Sequence, residues 1–309
     1  MSISGERLEV ALSAKFATVG DISRVLSSFR AVRKGNTLLV NAGRPNEQRA
    51  DSYLKGLKAM PFYEGALRDR VHPWAAGLEA HWADVREELE AALEGDQVEW
   101  AAACREEATS YGPQWSTLVL QDRIWHAGNV ARFPKTVALL TGCVDGVPPV
   151  PTVEVFFARQ EPDSGIATHT DGCNFILTSH LALMAEPDKA YIDVGGERRY
   201  WEEGKVMVFD TSYVHSTMNT SKHSRYVLLL RIWHPGVTEV ERKALSWIFA
   251  VLEDPGLIDS VLGPEAPLSE VGELGKERLS RAERRRQERE RRKSEGRRGG
   301  GSSFGGTRG

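Results

Sequence analysis

Three residues in this chain have the types and the spacing to hold one metal ion. His169 and Asp171 stand two apart in His169-Thr170-Asp171, and His215 follows 46 residues after His169. Two histidines and one carboxylate in this form make the facial triad that binds one face of a non-haem Fe(II). It leaves positions open for oxygen and a co-substrate. In a strand, residues i and i+2 point to the same side. His169 and Asp171 can therefore grip one ion from one strand end while Thr170 points away. The third ligand must come from another strand, so it can be distant in sequence. Ten residues beyond His215, Arg225 opens the apolar run that ends at Trp233. A permanently charged, planar guanidinium on such a strand needs an anion, and a dicarboxylate co-substrate supplies one. His-x-Asp alone is common by chance. The reading rests on its combination with a strand-borne His and an Arg ten residues further on.

Other polar residues are weaker candidates. His180 lies in the apolar run from Phe175 to Met184. On a strand it shares its side with Ile176, Thr178, Ala182 and Met184. If it faces the co-substrate, Ile176 and Thr178 face the pocket too; the alternative is a hydrogen-bonded core histidine. Asp210 is five residues before His215, where it either orients that ligand or makes the turn. His234 in Trp233-His234-Pro235 reads as structural. Cys173, four residues from His169, reads as a small buried thiol rather than a ligand.

The elements that must position these residues are strands. From Thr152 the apolar pattern gives eight short ones, at about 153–159, 165–171, 175–185, 190–194, 197–201, 205–209, 213–218 and 224–233, with Gly, Pro, Asp and Ser between them. This predicts a mainly β fold, a jelly roll or double-stranded β-helix of the cupin-like kind, with flanking helices. Leu78, Trp82, Val85, Leu89, Ala92 and Leu93 make a helical stripe within 70–110, and the charged face with Glu79 and Glu88 reads as solvated. The segment from Trp115 to Trp125 reads as a strand, and Thr238 to Leu252 as a closing helix. The expected organisation is a mostly helical N-terminal appendage over 1–65, a catalytic domain over 66–255 with its core at about 150–235, and a linker with a basic tail over 256–309.

Composition sets the outer bounds. The chain has 309 residues and 41% hydrophobic content, enough for a sizeable core. Cys104, Cys143 and Cys173 form no close-spaced pattern, which argues for a reducing, cytoplasmic setting and against a disulfide framework. No apolar run reaches the ~18–20 residues of a membrane span. From Lys276 onward there are 13 Lys/Arg and 5 Asp/Glu, a charge of +8 that leaves −11 on the rest of a chain of net charge −3. The acidic body is a poor binder of nucleic-acid phosphates. The Arg- and Gly-rich tail can make a weak RNA or protein contact, though a solvated tail is the plainer reading. The sequence leaves the oligomeric state open.

Residues from about 70 to 250 resemble the aspartyl/asparaginyl β-hydroxylase family of Fe(II)/2-oxoglutarate dioxygenases. The resemblance rests on Phe133-Pro134-Lys135-Thr136, His169-Thr170-Asp171, His180, Trp201-Glu202-Glu203-Gly204, Phe209-Asp210, His215, Arg225 and Trp233-His234-Pro235. It implies Fe(II) on His169 and His215, with Asp171 as third ligand. It further implies 2-oxoglutarate with its distal carboxylate on Arg225 and its proximal one on His180. The implied reaction is hydroxylation of an aspartyl/asparaginyl-type peptide or amino acid, with succinate and CO2 as co-products. The alternatives are a small-molecule or lipid-acyl substrate, or a non-catalytic binding module. The animal peptide hydroxylase of the family has a glycine where this chain has Asp171. It also grips its acidic target with two arginines, at the positions of Ile176 and Thr178 here. The resemblance therefore implies that epidermal-growth-factor-like domains are not efficient substrates.

Overall fold

A computed structural model describes residues 4–95, 98–102, 110–113 and 115–264. The chain up to Glu253 forms one compact unit. Of the second unit, from Asp254 on, the described part carries the helix Gly256–Leu262. The basic tail lies outside the described residues.

Eight strands form the core: β1 Thr152–Gln160, β2 Ser164–His169, β3 Ile176–Met184, β4 Ala190–Val194, β5 Glu197–Tyr200, β6 Val206–Phe209, β7 His215–Asn219 and β8 Arg225–Trp233. They fall into two antiparallel sheets. The larger runs β6-β3-β8-β1 and continues into Ser116–Asp122; the smaller runs β5-β4-β7-β2. This is the expected double-stranded β-helix. The larger sheet is buried on both faces, so its strands read as apolar runs instead of alternating. Leu228, Leu230 and Ile232 of β8 pack outward with Leu78, Val85 and Leu89 of the helices. Val227 and Leu229 face inward with Phe156, Ile192, Trp201 and Phe209. Arg225 and Arg231 have the same parity as Val227 and Leu229, so alternation turns both guanidinium groups into the barrel.

The helical region differs from the expected continuous stretch over 70–110. It is broken into Gly65–Val71, Trp74–Ala80 and Trp82–Glu94. Pro73 cannot continue a helix and here precedes the start of the second. Among the described residues after Gly95, Ala101–Ala102 pair with Ser116–Thr117 as strands. The charged face is not simply solvated either. Glu88 accepts from Nα of Lys135 and Thr136 at 2.6 and 2.9 Å, capping the helix Pro134–Thr141. Glu79 accepts from the Val206 N–H and from Arg68. Gly204 has φ +75°, and a Cβ there would sit 2.9 Å from the Trp82 ring, so this turn requires glycine on two counts.

The N-terminal residues begin with two helices, Gly5–Phe16 and Ser23–Arg33. Arg24 reaches Glu241 through two nitrogens, at 2.7 and 2.5 Å. Glu241 also accepts from Thr238 N–H, forming a capping box at the start of the helix Glu239–Glu253. Residues 47–63 then run along the barrel as a strap. Val214 N–H donates to Glu47 O, Arg49 N–H to Ser212 O, and Ser52 N–H to Gly172 O, all at 2.8–2.9 Å. The strap ends by adding Phe62–Tyr63 to the larger sheet beside β6.

Candidate active site

The smaller sheet brings the two candidate metal-ligating histidines together by register. His215, the first residue of β7, is paired with His169, the last of β2. Directly opposed residues point to the same face, and the two imidazole centroids are 4.2 Å apart. Each ring is oriented from behind. Nδ1 of His169 donates to Ala167 O at 2.8 Å, and Nδ1 of His215 to Tyr213 O at 2.9 Å. With the proton on Nδ1, both Nε2 atoms present lone pairs to the space between them. Burial pushes His215 down to about 4, so its ring is neutral and ready to ligate at neutral pH. Asp171 completes the set just past the end of β2. Its Oδ1 lies 3.7 Å from Nε2 of His169 and 3.9 Å from Nε2 of His215. The three ligand atoms fall within 4.8 Å of one another, and the donor set of two nitrogens and one oxygen suits Fe(II).

The larger sheet supplies the other half of the cavity. Arg225, at the start of β8, is buried, and its Nε and Nη1 have no hydrogen-bond partner among the described residues. Burial pushes it down to about 9. Its guanidinium lies 3.9 Å from the ring centroid of Trp201. Trp201 also donates its indole N–H to Nδ1 of His180 at 3.2 Å. That bond makes Nδ1 an acceptor and leaves the proton of the neutral ring on Nε2. Burial and the neighbouring Arg225 hold His180 well below the ordinary histidine range, so the ring is neutral. Its Nε2 is buried without a hydrogen-bond partner among the described residues. A buried cation and a buried N–H donor without acceptors, in one cavity wall, fit a carboxylate-bearing ligand.

Thr178 also lines this cavity, whereas Ile176 is buried but not part of its wall. Ile176 has the same parity as Thr178, yet the register places it opposite Trp233, at the outer end of β3. Asp210 makes a turn, accepting both the N–H and the hydroxyl of Ser212 at 2.9 and 2.5 Å. Burial raises its carboxyl to about 6. His234 is structural, bonded to Tyr63 Oη at 3.0 Å and Gly236 N–H at 2.9 Å. Two residues of the site, Trp201 behind the cavity wall and Arg231 in it, escaped sequence reasoning. Trp201 was visible only as part of a motif. Arg231, whose Nη1 donates to Asp171 Oδ2, was passed over as a residue of an apolar strand. Its spacing of six from Arg225 was the available signal, because an even spacing shares a face.

A double-stranded β-helix whose cavity joins a His-x-Asp…His cluster to a buried arginine defines a cupin-like class of fold. Within it, the family described as Aspartyl/Asparaginyl beta-hydroxylase matches residues 79–235, and the chain belongs to that family. It is 28% identical over 211 residues to the aspartyl/asparaginyl beta-hydroxylase of Mus musculus, covering 65% of this chain and 27% of that protein. It is 29% identical over 181 residues to the ornithine lipid ester-linked acyl 2-hydroxylase of Rhizobium tropici, covering 57% of this chain and 61% of that protein. A solved 2OG-Fe(II) oxygenase-family oxidoreductase from Burkholderia pseudomallei superposes with a TM-score of 0.34 at 15% identity, covering 51% of this chain and 89% of that one. The chain thus spans about a quarter of the mouse relative and about three fifths of the bacterial one. No described helix is long and apolar enough to cross a membrane.

Proposed function

We propose that this protein is an Fe(II)- and 2-oxoglutarate-dependent dioxygenase that hydroxylates a C–H bond of its substrate. The observation that carries the reading is the presence of Arg225 in the wall of the cavity that holds the His169-Asp171-His215 cluster. A metal cluster alone fits many cupin-fold proteins. A buried guanidinium with no protein anion is costly unless a ligand brings one, and the distal carboxylate of 2-oxoglutarate does so. In this reading His169 and His215 offer Nε2 and Asp171 offers Oδ1 to the iron. His180 donates its Nε2–H to the proximal carboxylate. Phe156, Leu229 and Ile192 keep the site dry. The iron, once bound, supplies oxygen activation coupled to decarboxylation of 2-oxoglutarate.

Family membership makes an aspartyl- or asparaginyl-type side chain the first substrate class to test. A second reading, a neutral or acyl group, is favoured by the apolar wall and by Arg231, whose charge already faces Asp171. Both are tested by supplying Fe(II), 2-oxoglutarate and candidate peptides or acyl lipids. The measurements are succinate release and a mass gain of roughly 16 Da, one oxygen atom. Succinate formation that survives His215→Ala would overturn the assignment.

A further inference from the structure

Arg231 is the second guanidinium of the cavity wall, and its surroundings are unlike those of Arg225. It lies directly opposite Thr178 in the pairing of β8 with β3. Its Nη1 is 2.7 Å from Thr178 Oγ1 and 3.1 Å from Thr211 Oγ1, and it donates to Asp171 Oδ2. Thr211 holds Asp171 a second time, because Asp171 N–H donates to Thr211 O at 2.9 Å. The side chains of Arg231 and Asp171 are only 8% and 9% exposed.

Asp171 needs such a brace. It sits past the end of β2, in a bend that leads to Gly172 at φ +73°. The strand ladder that orients His169 does not reach it. A carboxylate there can turn either oxygen, or both, toward an ion. Arg231 removes that freedom by holding Oδ2, which leaves Oδ1 facing the two Nε2 atoms. Resting on the reading of the cluster as a metal site, we infer that Arg231 is a positioning residue that presets Asp171 as a one-oxygen ligand. Thr178 and Thr211 fix its guanidinium.

The sign of the effect separates this role from simple electrostatics. A cation beside a metal site repels the ion, so a guanidinium acting only as charge would weaken metal binding, and its removal would tighten it. A positioning guanidinium does the reverse. The experiment titrates Co(II) into the metal-free full chain, following the visible absorption of the bound ion. Wild type is compared with Arg231→Gln, Arg231→Lys, the double variant Thr178→Val/Thr211→Val, and His215→Ala. Arg231→Gln is expected to weaken Co(II) binding about 10- to 100-fold, as loss of a partner behind a ligand does. Arg231→Lys keeps the charge without the planar fork and should recover part of the loss. The double variant keeps Arg231 but frees it, and should weaken binding several-fold; it decides the matter should Arg231→Gln fail to fold. Unchanged or tighter Co(II) binding in the Arg231 and double variants overturns the inference. So does a defect confined to substrate KM, which would make Arg231 a grip for a substrate carboxylate. Co(II) binding by wild type that His215→Ala leaves untouched overturns the metal-site reading itself, whatever Arg231 does.

Discussion

Arg225 and Arg231 stand six residues apart on one strand, face one cavity and are both buried, yet they meet opposite electrostatic conditions. Arg225 lies over the face of Trp201 with two nitrogens unbonded. Burial acts on it alone and pushes it down. Burial is the largest single influence on Arg231 and works against it, but Asp171, Cys173 and Glu154 together outweigh it and the net displacement is upward. The comparison separates two uses of a buried charge. One is balanced within the fold and belongs to its architecture. The other is left unbalanced among the described residues, and in the proposed function its balance is the carboxylate of the co-substrate.

The broadest test removes what both arginines serve. His215→Ala takes away one ligand of three and should abolish metal-dependent turnover while the fold persists. Full activity in that variant would mean that the cluster is not the metal centre, and the contrast between the arginines would lose its meaning.

The next test sets the two against each other in stability, without metal or co-substrate. Arg231→Met removes the guanidinium that donates to Asp171 Oδ2, and should cost about 3–5 kcal/mol, as breaking one partner of a buried pair does. Arg225→Met removes a charge that has no hydrogen-bonded partner among the described residues and keeps an apolar stem against Trp201. It should be neutral or stabilising, by up to about 1–4 kcal/mol. Denaturant melts of the two variants should therefore move in opposite directions. A loss of similar size in both would show that Arg225 has a counter-charge in the folded protein.

Function should follow the reverse order for the co-substrate. Losing a charged contact whose partner stays buried costs about 2–5 kcal/mol. Arg225→Ala should therefore raise the 2-oxoglutarate requirement by about 30-fold or more, at about 1.4 kcal/mol per factor of ten. An unchanged requirement would place the distal carboxylate elsewhere.

How much of this was legible in the sequence depends on the range of the interaction. The eight core strands, the triad and Arg225 follow from local period and spacing, and the observed strands begin and end within two residues of those expected. The break at His81 was hidden because the apolar stripe from Leu78 to Leu93 continues across it. Arg231 was hidden because its partners, Thr178, Thr211 and Asp171, are 53, 20 and 60 residues away. Only the strand register brings them together. The strap over 47–63 carries no motif, because it is held largely by backbone groups that every sequence supplies. Glu79 and Glu88 looked like surface charge because their acceptors are used by backbone N–H groups of distant segments.

The smallest expected effect concerns Trp201, which both faces Arg225 and selects the tautomer of His180. Trp201→Phe keeps an aromatic face for the guanidinium and removes only the indole N–H. Nδ1 of His180 then loses its donor, and the neutral ring is free to carry its proton on either nitrogen. In the tautomer with the proton on Nδ1, Nε2 presents a lone pair to the co-substrate's carboxylate, which repels it. A single neutral hydrogen bond is worth about 0.5–1.5 kcal/mol net, so the 2-oxoglutarate requirement should rise roughly two- to tenfold. The effect should be smaller than that of Arg225→Ala and should leave Co(II) affinity at the His169-Asp171-His215 cluster unchanged. A defect in Trp201→Phe as large as that of Arg225→Ala would mean that the tautomer of His180, more than the charge of Arg225, recognises the co-substrate. The unpartnered guanidinium would then no longer explain the site.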